Sequence, residues 1–444
     1  MDRRAFNRTV GVIGAGMLTG LGSNDLSGRE SGSASSEVRT GGSPPDRVLR
    51  RQAGEFDVDR ARRETPGCSR VTHFNNAGSS LPPQPVLDAV VGHLKLEGEI
   101  GGYEAADAAR SLRNNTYAAI SRLLNCSTEE IALVENATRG WDMAFYSMSF
   151  KPGDRILTCS AEYGSNYIAY LQVAKRTGAV IEVIPDDEHG QLSLDSLRNE
   201  LRRGGVALVG ITHVPTNGGL VNPAEEIGAL TREAGVPYLL DACQSAGQWP
   251  LDVEKIGCDM LSVTGRKFLR GPRGTGFLYV RREMIPHLEP PFLDLHAATW
   301  TKLDEYEIDP TARRFENWES YIAGGIGLGV AVDYALDWGI ESIQSRVIGL
   351  ADRLRASLDE VPGVTVRDLG QDRCGIVTFT HAGATATALK DHLRQKQINV
   401  SVTSRSSTRI DMESRGLESM VRASVHYFNT EEELDRLVEE LREV

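Results

Sequence analysis

Short apolar runs and longer amphipathic segments alternate through the middle of the chain. Runs rich in β-branched residues occur at 131–135, 155–159, 180–185, 206–214, 236–242, 259–264 and 276–281. Helical periodicity separates most of them, which is typical of a mostly parallel sheet with helices on both faces. The pattern therefore predicts an α/β fold whose large domain contains a seven-stranded sheet.

The regions flanking this pattern predict the rest of the fold. Helices are expected at 82–96 and 103–124, whereas 286–319 shows no clear period and is interpreted as a long ordered loop. Further helical and strand patterns between 326 and 444 predict a small C-terminal α/β domain. The large domain is assigned to 56–325, and its first segment, 56–80, is expected to pack on the small domain.

The N-terminus is interpreted as a targeting signal rather than as part of the fold. Arg3 and Arg4, with Phe6 and a weakly apolar run over 9–21, resemble a twin-arginine export signal over 1–22. The Ser/Gly-rich stretch 23–55 is interpreted as a disordered linker. We expect export to the periplasm or cell exterior, with a cytoplasmic protein as the alternative.

A glycine-rich decapeptide, 11–20, imitates a dinucleotide-binding fingerprint. That fingerprint requires a strand before it and a second strand ending in an acid. The sequence around the decapeptide shows neither feature. A nucleotide-binding oxidoreductase is therefore rejected.

Composition and charge narrow the classes of partner. A net charge of -12 argues against nucleic acid and anionic membranes. No apolar run is long enough to span a bilayer. The six cysteines are scattered without metal-ligand spacing, so no metal site is predicted.

Lys267 is the residue around which the candidate chemistry is organised. It is one of only eight lysines, and it alone follows a predicted buried strand, 259–264, through a glycine turn. A desolvated lysine has a lowered pKa and can act as a nucleophile. We interpret Lys267 as the Schiff-base lysine of pyridoxal 5'-phosphate (PLP), although a lysine that merely caps the sheet edge would look the same.

Other residues match the remaining needs of a PLP site. Asp241 ends a predicted strand and can pair with the ring nitrogen, or cap the next helix. Tyr163 can stack on the ring, and Arg422, inside an apolar strand, can grip a substrate carboxylate or form a structural ion pair. The predicted phosphate and ring contacts come from the backbone at Ala137 and from the side chains of four residues: Thr138, Gln244, Thr264 and Arg266.

Two stretches, 241–247 and 264–276, resemble the class V aminotransferase family of fold-type I PLP enzymes, which includes cysteine desulfurases and C–S lyases. The resemblance covers about 56–444. It implies that Lys267 and Asp241 are catalytic, that Thr216 or Asn217 also faces the cofactor, and that Arg422 and Asn76 bind substrate. It further implies an amino-acid substrate and a homodimer.

The chain departs from desulfurases where they carry a nucleophilic cysteine, ahead of the arginine strand. The stretch 401–419 contains no cysteine, and a persulfide requires a thiolate. We therefore expect a C–S lyase that acts by β-elimination without a persulfide cysteine. An amino-acid epimerase, an aminotransferase and a non-catalytic binding relative are the alternatives.

Overall fold

The central sheet is built from the apolar runs that the sequence indicates. The protein is described by a computed structural model over residues 56–444, so the predicted signal (1–22) and linker (23–55) lie outside the described residues. Seven strands form this sheet: β2 (Ile131–Val134), β3 (Arg155–Cys159), β4 (Val180–Ile184), β5 (Val206–Thr212), β6 (Tyr238–Asp241), β7 (Met260–Thr264) and β8 (Gly276–Val280).

The strand order determines which residues meet at one edge of this sheet. The order is β2-β8-β7-β6-β5-β3-β4, and only β8 runs against its neighbours. Because β2 and β7 both pair with β8 in antiparallel fashion, the ends of β2, β3, β5, β6 and β7 point the same way. The residues after these strands therefore meet at one edge, where open α/β sheets bind ligands.

Helices cover the sheet on both faces, as predicted. The helices that precede strand β7 in the chain are α1 (Val58–Arg63), α2 (Asn76–Ser79), α3 (Gln84–Ile100), α4 (Gly102–Ala108), α5 (Arg110–Leu124), α6 (Ala137–Tyr146), α7 (Gly164–Thr177), α8 (Leu194–Arg203), α9 (Ala224–Ala234) and α10 (Val253–Ile256). The segment predicted as one helix, 103–124, is two helices that break at Ala109.

A second, four-stranded antiparallel sheet follows in the C-terminal part. Its order is β11 (Val364–Val366), β12 (Ile376–His381), β15 (Ser419–Ser424) and β14 (Ser401–Ser404). The helices here are α11 (Ile322–Trp338), α12 (Ile340–Asp359), α13 (Ala386–Gln395), α14 (Arg409–Ser414) and α15 (Glu431–Arg442). The expected domain boundary at 325/326 falls inside α11, which packs on α3 and α5.

The N-terminal segment of the described chain joins this C-terminal part. Strand β1 (Thr72–His73) pairs in parallel with β13 (Ile398–Asn399), and Ser424 N donates to Phe74 O at 2.7 Å. The chain therefore enters the fold at the C-terminal sheet and brings Asn76 and Ala77 next to β15.

One predicted loop contains regular structure. Within 286–319, β9 (Ala298–Lys302) and β10 (Glu305–Ile308) form an antiparallel hairpin. Trp300, Leu303 and Tyr306 on this hairpin are exposed. Because neither face of the hairpin is buried, its sequence has no reason to alternate apolar and polar residues. Within 56–444, no helix is long and apolar enough to cross a membrane.

Candidate active site

The strand ends enclose a cavity of about 300 Å³ at the edge described above. All nine residues predicted to contact PLP line this cavity: Ala137, Thr138, Tyr163, Thr216, Asp241, Gln244, Thr264, Arg266 and Lys267. They come from segments as far apart as 137 and 267 in sequence, so the fold brings them together as the strand-end argument requires.

Lys267 follows β7 and lies beside a thiol. Its Nζ donates to Cys243 Sγ at 3.5 Å. Burial lowers the pKa of the Lys267 amine, although Cys243 and Asp241 oppose the shift. A lowered pKa increases the fraction of neutral amine, which is the form that attacks a carbonyl carbon.

Asp241, at the end of β6, is buried without a permanent cationic partner. Its two oxygens accept from Cys243 N at 2.9 Å and Asn166 Nδ2 at 3.1 Å. Among the ion pairs of the described residues, none includes Asp241. Burial raises the pKa of its carboxyl, and the nearby Lys267 charge opposes this. A protonated ring nitrogen would supply the counter-charge that this acid lacks.

Gln244 has one satisfied amide end and one orphaned end. Its Nε2 donates to Ala77 O at 3.1 Å and to Thr216 Oγ1 at 3.3 Å. Its Oε1 is buried with no hydrogen-bond partner. Since Gln244 lines the cavity, a polar ring substituent of a bound molecule would satisfy this end.

A further group of cavity residues is suited to binding an anion. Asn136 caps α6 by accepting from Arg139 N at 3.0 Å, and Ala137 and Thr138 form the first turn of this ten-residue helix. Arg266 Nη1 donates to Thr264 Oγ1 at 3.1 Å, and in the described chain the guanidinium has no acidic partner. A helix N-terminus with an unpaired arginine is well suited to a phosphate.

Arg422, on β15, does not itself line the cavity, but it contacts the wall residue Thr216 from the second sheet. Its Nη1 donates to Thr216 O at 3.2 Å and Thr216 Oγ1 at 2.5 Å, while Nε is buried without a partner. Burial lowers the pKa of this guanidinium to about 10, and the neighbouring Tyr163 only partly opposes the shift. It is therefore a buried cation without an acid among residues 56–444.

Asn76 does not lie on the cavity wall. It is fully buried, its Nδ2 donates to Ser424 O at 2.8 Å, and its Oδ1 accepts from Ser80 Oγ at 2.7 Å. Its amide joins the N-terminal segment to β15, so the geometry gives no support to the predicted contact between Asn76 and substrate.

Several cavity or cavity-adjacent residues were missed from the sequence. Cys243 and Arg273 line the cavity, and Asn166 in α7 binds Asp241. Cys243 and Arg273 stand inside the two stretches that carry the family resemblance, and position in those stretches was the available signal. Asn166 had no comparable signal, because a polar residue in a first helical turn looks like a capping residue.

The segment that lacks a cysteine packs against the N-terminus of α7. Residues 401–414 form β14, one short 3₁₀ turn and α14. Asp411 N donates to Ser160 O at 3.2 Å, and a Cβ on Gly164 would lie 2.4 Å from Ser406 O. This segment therefore packs directly beside Tyr163.

Comparison with known proteins gives a consistent result. The sequence model described as aminotransferase class-V matches residues 72–437. A probable cysteine desulfurase of Synechocystis sp. is 31% identical over 389 residues, covering 84% of this chain and 90% of the relative.

Solved structures resemble the chain over most of its length. An apo cysteine desulfurase from Thermococcus onnurineus NA1 is 26% identical, with a TM-score of 0.80 over 87% of this chain and 97% of that chain. A cystine C–S lyase in complex with its product cysteine persulfide is 24% identical, with a TM-score of 0.77 over 85% and 99% of the two chains. The second likeness shows a shared fold.

Proposed function

The chain belongs to the class V aminotransferases, a family of PLP-dependent enzymes, and we propose that it is a C–S lyase that eliminates a thiol from a cysteine-derived amino acid. The observation that carries this proposal is the absence of a thiol where a desulfurase needs one. All six cysteines lie in the described residues, none falls between 401 and 419, and Cys243 alone lines the cavity.

The cavity fits PLP by the chemistry of its donors. Lys267 would hold the cofactor covalently, Asp241 would face the ring nitrogen, and Gln244 would use its orphaned amide end on the ring oxygen. Thr138, Thr264 and Arg266, together with the first turn of α6, would hold the phosphate. Bound PLP supplies an electron sink for the negative charge that develops at the substrate Cα.

Arg422 would hold the substrate by its carboxylate. The carboxylate of an amino acid supplies the negative charge that this buried guanidinium lacks, and an arginine can bind it through two parallel hydrogen bonds. Thr216 fixes the guanidinium through its Nη1. A substrate held in this way would present its Cα to Lys267.

Lys267 would then move the proton. Its neutral amine would accept the Cα proton, and the lowered pKa of Lys267 favours this neutral form. Breaking the Cβ–S bond expels a thiolate, which leaves with a proton, and hydrolysis of the remaining enamine gives pyruvate and ammonia. No protein thiol takes part in this sequence.

In this proposal Cys243 has no role in sulfur transfer. It lies between Asp241 and Gln244 in the chain and contacts the Lys267 amine. Burial raises the pKa of its thiol, although the neighbouring lysine opposes the shift. A raised pKa lowers the fraction of thiolate, which is the nucleophilic form.

Product analysis tests the proposal. PLP-loaded protein is incubated with cysteine, cystine, S-substituted cysteines and their sulfoxides. Pyruvate, ammonia, alanine, sulfur-containing keto acids and the two enantiomers of the substrate are then quantified. We expect pyruvate and ammonia in equal amounts. Alanine would indicate a desulfurase, a sulfur-containing keto acid an aminotransferase, and the D-enantiomer an epimerase.

A further inference from the structure

A second buried acid lies directly behind the cavity and takes no part in the proposed chemistry. Glu162, in the turn between β3 and α7, is 3% exposed. Its Oε1 accepts from Thr212 Oγ1 at 2.5 Å, Asn166 Nδ2 at 2.8 Å and Tyr163 N at 2.9 Å. Its Oε2 accepts from Thr158 Oγ1 at 2.8 Å. Four donors thus fix the position of this carboxylate.

Asn166 connects this acid to the acid of the cavity. Its Nδ2 donates both to Glu162 Oε1 at 2.8 Å and to Asp241 Oδ2 at 3.1 Å. An NH₂ group has two hydrogens, so one amide serves two carboxylates. Because both partners are acceptors at these atoms, the orientation of the Asn166 amide is determined by the network.

The surroundings of Glu162 provide no positive charge next to it. The titratable groups that face it are Asp241 and Tyr238 on β6, Cys159 on β3 and Tyr170 on α7. Burial raises the pKa of Glu162 to about 7, with the Asp241 charge adding to this and the hydrogen bonds opposing it. The charge of Lys267 opposes the pKa shift of Asp241.

We propose that Glu162 is a positioning residue which, through Asn166, orients Asp241 and adds a second negative charge behind the cofactor ring. The four donors hold Glu162 whether or not Asp241 has a partner, so the network is assembled before PLP binds. Two acids joined by one amide titrate as a unit. A bound cation at the ring nitrogen is stabilised by both members, and the effect of Glu162 is largest above about pH 7, where it is ionised.

The inference requires that the chain binds PLP, and it does not depend on the lyase reaction. The test uses the PLP-loaded protein and the pH midpoint of its visible absorbance band. Glu162→Gln keeps the shape of the side chain and removes the charge. Because a nearby negative charge favours the protonated form of the bound chromophore, we expect the midpoint to fall by about one pH unit.

Two further variants isolate the charge from the structure. Thr158→Val keeps the acid but removes the donor to Oε2. Because this loss favours neutral Glu162, the midpoint should fall by less than in Glu162→Gln. It also decides the matter if Glu162→Gln does not fold. Glu188→Gln removes an acid whose side chain is 87% exposed and should leave the midpoint unchanged.

The outcomes separate the two claims. Wild-type protein that binds no PLP would overturn both the cofactor assignment and this inference. Variants that bind PLP with a midpoint identical to that of the wild type would overturn the role of Glu162 and leave the cofactor assignment standing. A purely structural role predicts reduced folding without a moved midpoint.

Discussion

Replacing Arg422 with methionine should weaken catalysis without weakening the fold. Burial lowers the pKa of this guanidinium from its ordinary value to about 10, which corresponds to a cost of about 3 kcal/mol for holding the charge. Arg422→Met removes that cost and loses two hydrogen bonds to Thr216, worth about 1.5 kcal/mol each because the donor is charged. The two effects offset each other, so the free energy of unfolding should stay nearly unchanged.

The catalytic loss should be large because the substrate carboxylate would lose its partner. Truncating one member of a buried charge pair costs about 2–5 kcal/mol, or roughly 30- to 3,000-fold in kcat/KM. Steady-state kinetics and urea unfolding of one preparation measure both quantities. Unchanged kcat/KM would refute the carboxylate role, and loss of both activity and stability would indicate a structural arginine.

Arg355 provides a matched control for this substitution. It is also a buried arginine, but its Nε donates to Asp368 Oδ2 at 2.8 Å, with side chains 4% and 0% exposed. Arg355→Met breaks a buried pair and leaves a carboxylate uncompensated. It should therefore lower the free energy of unfolding by about 3–5 kcal/mol.

Three other predictions test separate features. Burial lowers the pKa of His213 to about 4, so the unfolded chain takes up a proton at higher pH than the folded one. Between pH 7 and pH 5, the wild-type protein should therefore lose about 2 kcal/mol more stability than His213→Leu. Urea unfolding at each pH measures both losses, and equal losses would contradict the pKa shift. Cys243→Ala should retain pyruvate formation from cysteine-derived substrates, whereas abolished turnover with normal PLP binding would implicate this thiol in the chemistry. Changing Arg3-Arg4 to Lys-Lys should prevent export, followed by fractionation of expressing cells, and unaltered location would reject the twin-arginine signal.

The sequence was most informative where one local pattern controls both fold and chemistry. Apolar runs predict the strands, and the polar residue at each strand end then lies at the same edge of a parallel sheet. The sequence alone is therefore enough to assign Asp241 and Lys267 to one site. The predicted homodimer stays a prediction.

The sequence was least informative where contacts join distant segments. Asn76 looks like a free polar residue in a turn, yet its amide is used by Ser424 and Ser80. Glu162 and Asn166 resemble the usual polar residues at a helix start, and only the folded arrangement shows that they form one network with Asp241. The β9–β10 hairpin escaped prediction because both of its faces are exposed.

The most direct test of the account is the covalent attachment of the cofactor. Protein purified in the presence of PLP should be yellow, and borohydride should fix the pigment to a single peptide that contains Lys267. Lys267→Ala should remove the fixed label, and Lys255→Ala, at a side chain 70% exposed, should not. A colourless protein that takes up no PLP, or a label on another lysine, would contradict the central claim.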